Sequence, residues 1–215
     1  MSVDARSLFS VNHPIVLALA RLRFTILFLA VMLVANLLAG SLHRPLTNRM
    51  LENWGIGHDT LMRGDALRLI TSTFLSHDPD MLLRQFVFAA MALGYTELKF
   101  GSGRTIALFL GLDIIGTLIL LALVGLLSGT IDLTAANDVG MSIGGFGLVG
   151  LAIADWRGRS SLFAAILVGI AMKFAYAPDL MADGGHVLAF GLGYVLGLLL
   201  SRRKRTVSKE PGYAR

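Results

Sequence analysis

Cysteine is absent from the chain. Disulfides and thiolate metal sites are thereby excluded, and no redox compartment can be read. Charge is scarce too: Asp, Glu, Lys and Arg make up 15% of the 215 residues, against about 25% in an ordinary soluble domain. Hydrophobic residues fill 55% of the sequence and its mean hydropathy is +0.70, which puts it in the membrane class. The formal net charge of +5 does not signal nucleic acid, because the positive residues sit mostly at the ends of apolar segments. The histidines show no metal-ligand spacing, and no cofactor is expected. Neither an inverted repeat nor a pair of broken helices of the transporter kind is visible. A cleavable signal peptide is not expected, since the first apolar run comes late and no small-residue cleavage site follows it.

Glycine, by contrast, is abundant. The stretch Gly140-Met141-Ser142-Ile143-Gly144-Gly145-Phe146-Gly147-Leu148-Val149-Gly150 carries one hydroxyl among five glycines. Each glycine costs a helix about 1 kcal/mol against alanine. Such a density predicts that another backbone approaches closely, as small residues permit in lipid. The matching stretch is Asp183-Gly184-Gly185-His186-Val187-Leu188-Ala189-Phe190-Gly191-Leu192-Gly193. A serine on one small-residue helix and a histidine on the other form a candidate nucleophile and base. The four-residue spacings Gly140/Gly144 and Ala189/Gly193/Gly197 predict the contacting faces.

Along the chain, 1–23 reads as a cytoplasmic or interfacial lead-in with Arg6, Arg21 and Arg23, interrupted by Pro14. Six apolar spans are predicted at about 24–42, 80–100, 105–127, 139–154, 160–176 and 184–201, near the ~20 residues a bilayer core needs. They define a membrane domain over 24–201, followed by a basic cytoplasmic tail over 202–215. The polar connection 43–80 is long enough to be functional. It has Trp54 and Phe74 as interface candidates and a short interfacial helix expected around Leu67 to Ile70. The loop 128–138 is acidic, with Asp132 and Asp138. An even number of spans puts both termini on one side. The loops holding Lys99 with Arg104 and Arg157 with Arg159, together with the tail, make that side cytoplasmic by the positive-inside rule. Ser142 and His186 then enter their spans from the same outer face at similar depth. Arg84 reads as a snorkelling side chain. Asp113, within the third span, reads as a polar contact with no visible partner.

From about Arg68 to Gly197 the sequence resembles the rhomboid family of intramembrane serine proteases. The residues that carry the resemblance are Gly140-Met141-Ser142 with Phe146-Gly147 and Gly150, and His186 with Ala189 and Gly193. Glu97 with Gly101-Ser102-Gly103, and Arg68 of the first loop, add to it. The resemblance implies an all-α membrane protein with a six-helix rhomboid-like bundle in a bacterial inner membrane. It implies cleavage of membrane-anchored proteins near the extracytoplasmic face by a Ser142–His186 dyad. The partners would be a transmembrane protein and the lipid bilayer, with no nucleic acid.

The chain also departs from the family. Its second span usually holds a histidine and, four residues on, an asparagine that aim at the oxyanion; here Met81 and Gln85 match them. Methionine donates no hydrogen bond, whereas glutamine does, so Gln85 and the Ser142 backbone N–H are the oxyanion candidates. Ile143 replaces the glycine after the serine and is expected to crowd the pocket. Asp183 is placed either to orient His186 or to cap a loop. Read without the family, a serine in a glycine-rich membrane helix is a packing residue. The rival function is therefore a catalytically inactive rhomboid-like protein that binds transmembrane segments or serves a larger membrane complex.

Overall fold

The computed structural model describes residues 19–131 and 133–207. Arg6, Pro14, Asp132 and the end of the basic tail, residues 208–215, lie outside them. The described chain is helical, and its only extended pairing is a single antiparallel bridge between Ile56 and Asp138. The long helices are α1 (Arg23–Ala39), α5 (Pro79–Phe100), α6 (Ser102–Leu126), α7 (Ser142–Ile153), α8 (Arg159–Tyr176) and α9 (Leu180–Val207). Among the described residues, three stretches are long and apolar enough to cross a membrane: Ser102–Leu126, Arg159–Tyr176 and Leu180–Arg202. Helices α1 and α7 are apolar but shorter, while α5 carries Asp80, Arg84, Glu97 and Lys99.

The first connection is not a loose loop. It folds into α2 (Asn48–Trp54), α3 (His58–Met62) and α4 (Arg68–Thr71), with a 3-10 turn over Ser72–Phe74. Arg68 ties it together, donating to the carbonyls of Glu52 and Gly55 and pairing with Asp65 at 2.7 Å. The bridge at Ile56 joins this cap to the segment entering α7. Trp54 is exposed as an interface residue would be. Phe74 is not: its ring lies 4.9 Å from that of Phe28 and joins the core. The rings of Phe24, Phe28 and Phe109 continue that core between α1 and α6, Phe28 meeting Phe109 edge-on at 5.2 Å.

Local chemistry sets the helix ends. Asp78 caps α5 by accepting from the Met81 N–H at 2.7 Å, and Pro79 occupies the first helical position, where it lacks nothing. Glu97 is buried at the other end of α5. It accepts from the Phe24 and Thr25 amides and from the Thr25 and Ser102 hydroxyls. The carboxylate thus caps α1 from a different helix, satisfying donors that α1 cannot satisfy itself. The Gly101-Ser102-Gly103 turn serves the same knot, because Gly101 (φ 80°) turns the chain and Ser102 supplies a fourth donor.

Helices α7 and α9 run parallel in backbone contact. A Cβ on Gly193 would lie 1.8 Å from the Gly147 carbonyl oxygen, and one on Gly150 would lie 2.2 Å from that of Phe190. A Cβ on Gly197 would meet Ala154 at 2.5 Å. The close approach predicted from glycine density is present, but the predicted α7 face is the wrong one. Gly140 faces Gln85 and Met81 of α5, and Gly144 faces Phe109 and Asp113 of α6. Positions 147, 150 and 154 touch α9 instead. Four glycines on one short helix allow contact on several sides, so spacing alone did not select the side.

Candidate active site

The parallel α7–α9 pair brings both N-terminal ends together. Ser142 is the first residue of α7, whereas His186 lies further along α9, whose helix begins at Leu180 rather than near 184. The two side chains meet: His186 Nε2 is 2.9 Å from Ser142 Oγ. This is the distance at which an imidazole takes a hydroxyl proton. One face of the imidazole is covered by Phe146, stacked at 4.4 Å and 25°. Phe146 lies one turn beyond Ser142 on the same helix, so α7 carries the hydroxyl and also packs the ring of the imidazole it meets.

Asp183 is 4.0 Å from His186 Nδ1, outside hydrogen-bond reach. Its Oδ2 is occupied by Lys173 Nζ at 2.9 Å and the Asp179 amide at 3.0 Å, while its Oδ1 is buried without a partner. The residue therefore belongs to the first turn of α9 and to a tie with α8. Its contact with the histidine is through space.

Gln85 is buried and bonded on one side only. Its Oε1 accepts from the Ser76 hydroxyl at 2.8 Å, and its Nε2 has no partner. A Cβ on Gly140 would come within 2.2 Å of that nitrogen and within 3.1 Å of Met81 Cε. Gly140 holds φ at 131°, a conformation that side chains other than hydrogen rarely adopt, and its amide bonds the Ser72 carbonyl. The amide donor of Gln85 is thus aimed at the segment just before Ser142. Ser76 is held in turn by Asn36, whose Oδ1 accepts the Ser76 amide and whose Nδ2 donates to the Met32 and Phe74 carbonyls. Met81 supplies no donor, and its sulfur accepts from the His77 amide at 3.4 Å.

Ile143 does not lie loose beside the serine. Its side chain is buried in a notch left by Gly116 and Gly185, where added Cβ atoms would approach it at 2.8 and 3.0 Å. A cavity of about 20 Å³, bordered by Ser142, Asp113, Thr73 and Thr117, opens beside the serine. That is room for one water. Asp138 also borders the cavity, and its Oδ1 is 3.0 Å from His77 Nε2. This hydrogen bond holds the imidazole pKa above its ordinary 6.5, against the lowering effect of burial.

Asp113, seen in the sequence without a partner, has two. Its Oδ1 accepts from the Gly144 amide at 2.8 Å and its Oδ2 from the Thr73 hydroxyl at 3.0 Å. Ser76, Asn36, Phe146 and Asp113 surround the site without having been singled out as parts of it. Asn36 and Asp113 did carry a signal, a polar side chain within an apolar helix.

The arrangement holds a paired hydroxyl and imidazole, one free buried amide donor and a helix N-terminus at a single place. Compared with models of protein families and with curated proteins, the chain matches none.

Proposed function

We propose that the chain is a rhomboid-type intramembrane serine protease. The observation that carries this reading is the 2.9 Å contact of Ser142 Oγ with His186 Nε2, made across two helices whose backbones touch. His186 would take the Ser142 proton as the oxygen attacks a peptide carbonyl. The oxyanion would be met by the Ser142 backbone N–H and by Gln85 Nε2, a donor already desolvated and unpaired. His186 then gives the proton to the leaving amine. A water at the serine, activated by the same imidazole, hydrolyses the acyl-enzyme.

In this reading α1, α5, α6, α7, α8 and α9 are the six spans, with both termini in the cytoplasm of a bacterial cell. The substrate is a membrane-anchored protein whose helix is unwound near the outer face. Labelling with a serine-directed fluorophosphonate tests the reading: wild type should label and Ser142→Ala should not. A wild-type protein that never labels would favour a non-catalytic binder of transmembrane segments. That rival is supported by Met81, whose sulfur accepts a hydrogen bond where the family places a donor.

A further inference from the structure

Asp113 is 3% exposed in the middle of α6, and the reaction just described gives it no part. Its place is set by the start of α7. The first amides of a helix have no intrahelical acceptor, and the capping residue here, Met141, offers no side-chain bond. The Gly145 amide finds the Met141 carbonyl, and the Gly144 amide finds Asp113. Among the described residues the Ser142 and Ile143 amides find nothing. Gly144 admits the carboxylate, because a Cβ there would lie 2.9 Å from Asp113 Cβ and 2.6 Å from the Phe109 ring.

We infer that Asp113 is a positioning residue for the oxyanion site: through the Gly144 amide it holds the first turn of α7, so that the Ser142 N–H and Oγ keep their aim. The inference rests on the protease reading. The work is done by an acceptor and not by a charge, since a negative charge this close opposes an oxyanion in a low-dielectric site. Asparagine can do the same work. Its Oδ1 accepts from Gly144, and its Nδ2 donates to Thr73 Oγ1, whose hydrogen then goes to the Leu69 carbonyl at 3.3 Å. Leucine, of similar size, leaves the Gly144 amide buried and unpaired.

The test measures kinact and KI for the fluorophosphonate on the full chain in detergent, with the folded fraction read from thermal unfolding. Asp113→Leu should lower kinact by about 10²-fold, the cost of a small misplacement at a reacting centre, with KI unchanged. Asp113→Asn should react at least as fast as wild type. A purely structural role would reduce the fraction that labels and leave kinact alone. A folded Asp113→Leu with wild-type kinact, or an Asp113→Asn as slow as the leucine variant, overturns the inference. Should Asp113→Leu not fold, Thr73→Val decides: it frees Oδ2 and should slow kinact several-fold, and no change overturns the inference. Failure of wild type to label removes the protease reading and this inference together. Failure confined to the variants' predicted pattern leaves the protease reading intact.

Discussion

Helices α7 and α8 are neighbours in sequence and both lie against α9, yet they are packed in opposite ways. Helix α7 has 12 residues and buries eight of them, four of which are glycines. Helix α8 has 18 residues and buries only Ile170. Its hold on α9 is made by side chains: Phe163 stacks on Phe190 at 4.9 Å and lies 4.5 Å from Tyr194, and Lys173 reaches Asp183. Backbone contact holds a pair closely, because the space between the helices does not admit even a Cβ at Gly193 or Gly150. Side-chain contact tolerates movement. Ser142 and His186 sit on the rigid pair, and α8 stands outside it with Val168 and Met172 exposed.

The strongest test of what the rigid pair is for is its chemistry. Ser142→Ala and His186→Ala should each lower turnover by about 10⁴-fold or more, and the double variant should be hardly worse, because residues acting as a unit are not additive. Additive losses, measured as kcat on a membrane-anchored substrate, would mean the contact serves packing alone. Next, glycines on the two helices can be set against each other. Gly193→Val drives a side chain into the Gly147 carbonyl and should cost about 3 kcal/mol or more of stability, with activity lost. Gly169→Val on α8, where no atom lies within 4 Å of an added Cβ, should leave Tm and activity unchanged. Equal effects would erase the distinction between the helices.

Gln85→Ala removes the one free donor facing α7 and should reduce kcat by about 10²-fold with Tm little changed. Ser76→Ala, which frees the amide to turn, should fall between that variant and wild type. The smallest effect is expected at the rim, where His77 joins the cap of the bundle to Asp138. Its pKa is raised in the fold, chiefly by that hydrogen bond. Its contribution to stability is therefore complete below the ordinary value of 6.5 and is lost as pH rises through the raised value. Thermal unfolding should show a small fall in Tm from about pH 6 to pH 8, and His77→Gln should flatten it. A wild-type Tm that rises over this range would show that the pair does not hold the cap.

Much of the candidate site was legible before the fold was. Ser142 and His186 stood out because each is a polar group in a glycine-rich apolar run. Gln85 was singled out by the resemblance alone, as the position four residues after Met81, and nothing local in the sequence marks its Nε2 as buried and unpaired. Glu97 was noted for its place before a Gly-Ser-Gly turn, but its work as the cap of α1 involves residues more than 70 positions away. Asp183 was weighed as an orienting group for His186 or a loop cap. Its bonds go to Lys173 and Asp179, and neither can be read from the spacing of Asp183 and His186 alone.

What the sequence by itself determined is the class of the molecule and the positions of its helices. Run length and hydropathy are local properties, and predicted and observed boundaries differ by only a few residues at most ends. Which face of each helix turns inward was decided by the tertiary structure. A helix apolar all round, such as α6, carries no stripe to mark its buried side, and with lipid as solvent there is no hydrophobic contrast to supply one. Rotation is then set by close packing: by Gly193 against Gly147, by Ile143 in the notch of Gly116 and Gly185, and by Asp113 finding the Gly144 amide. These contacts depend on shapes meeting across the bundle, and no single segment contains them.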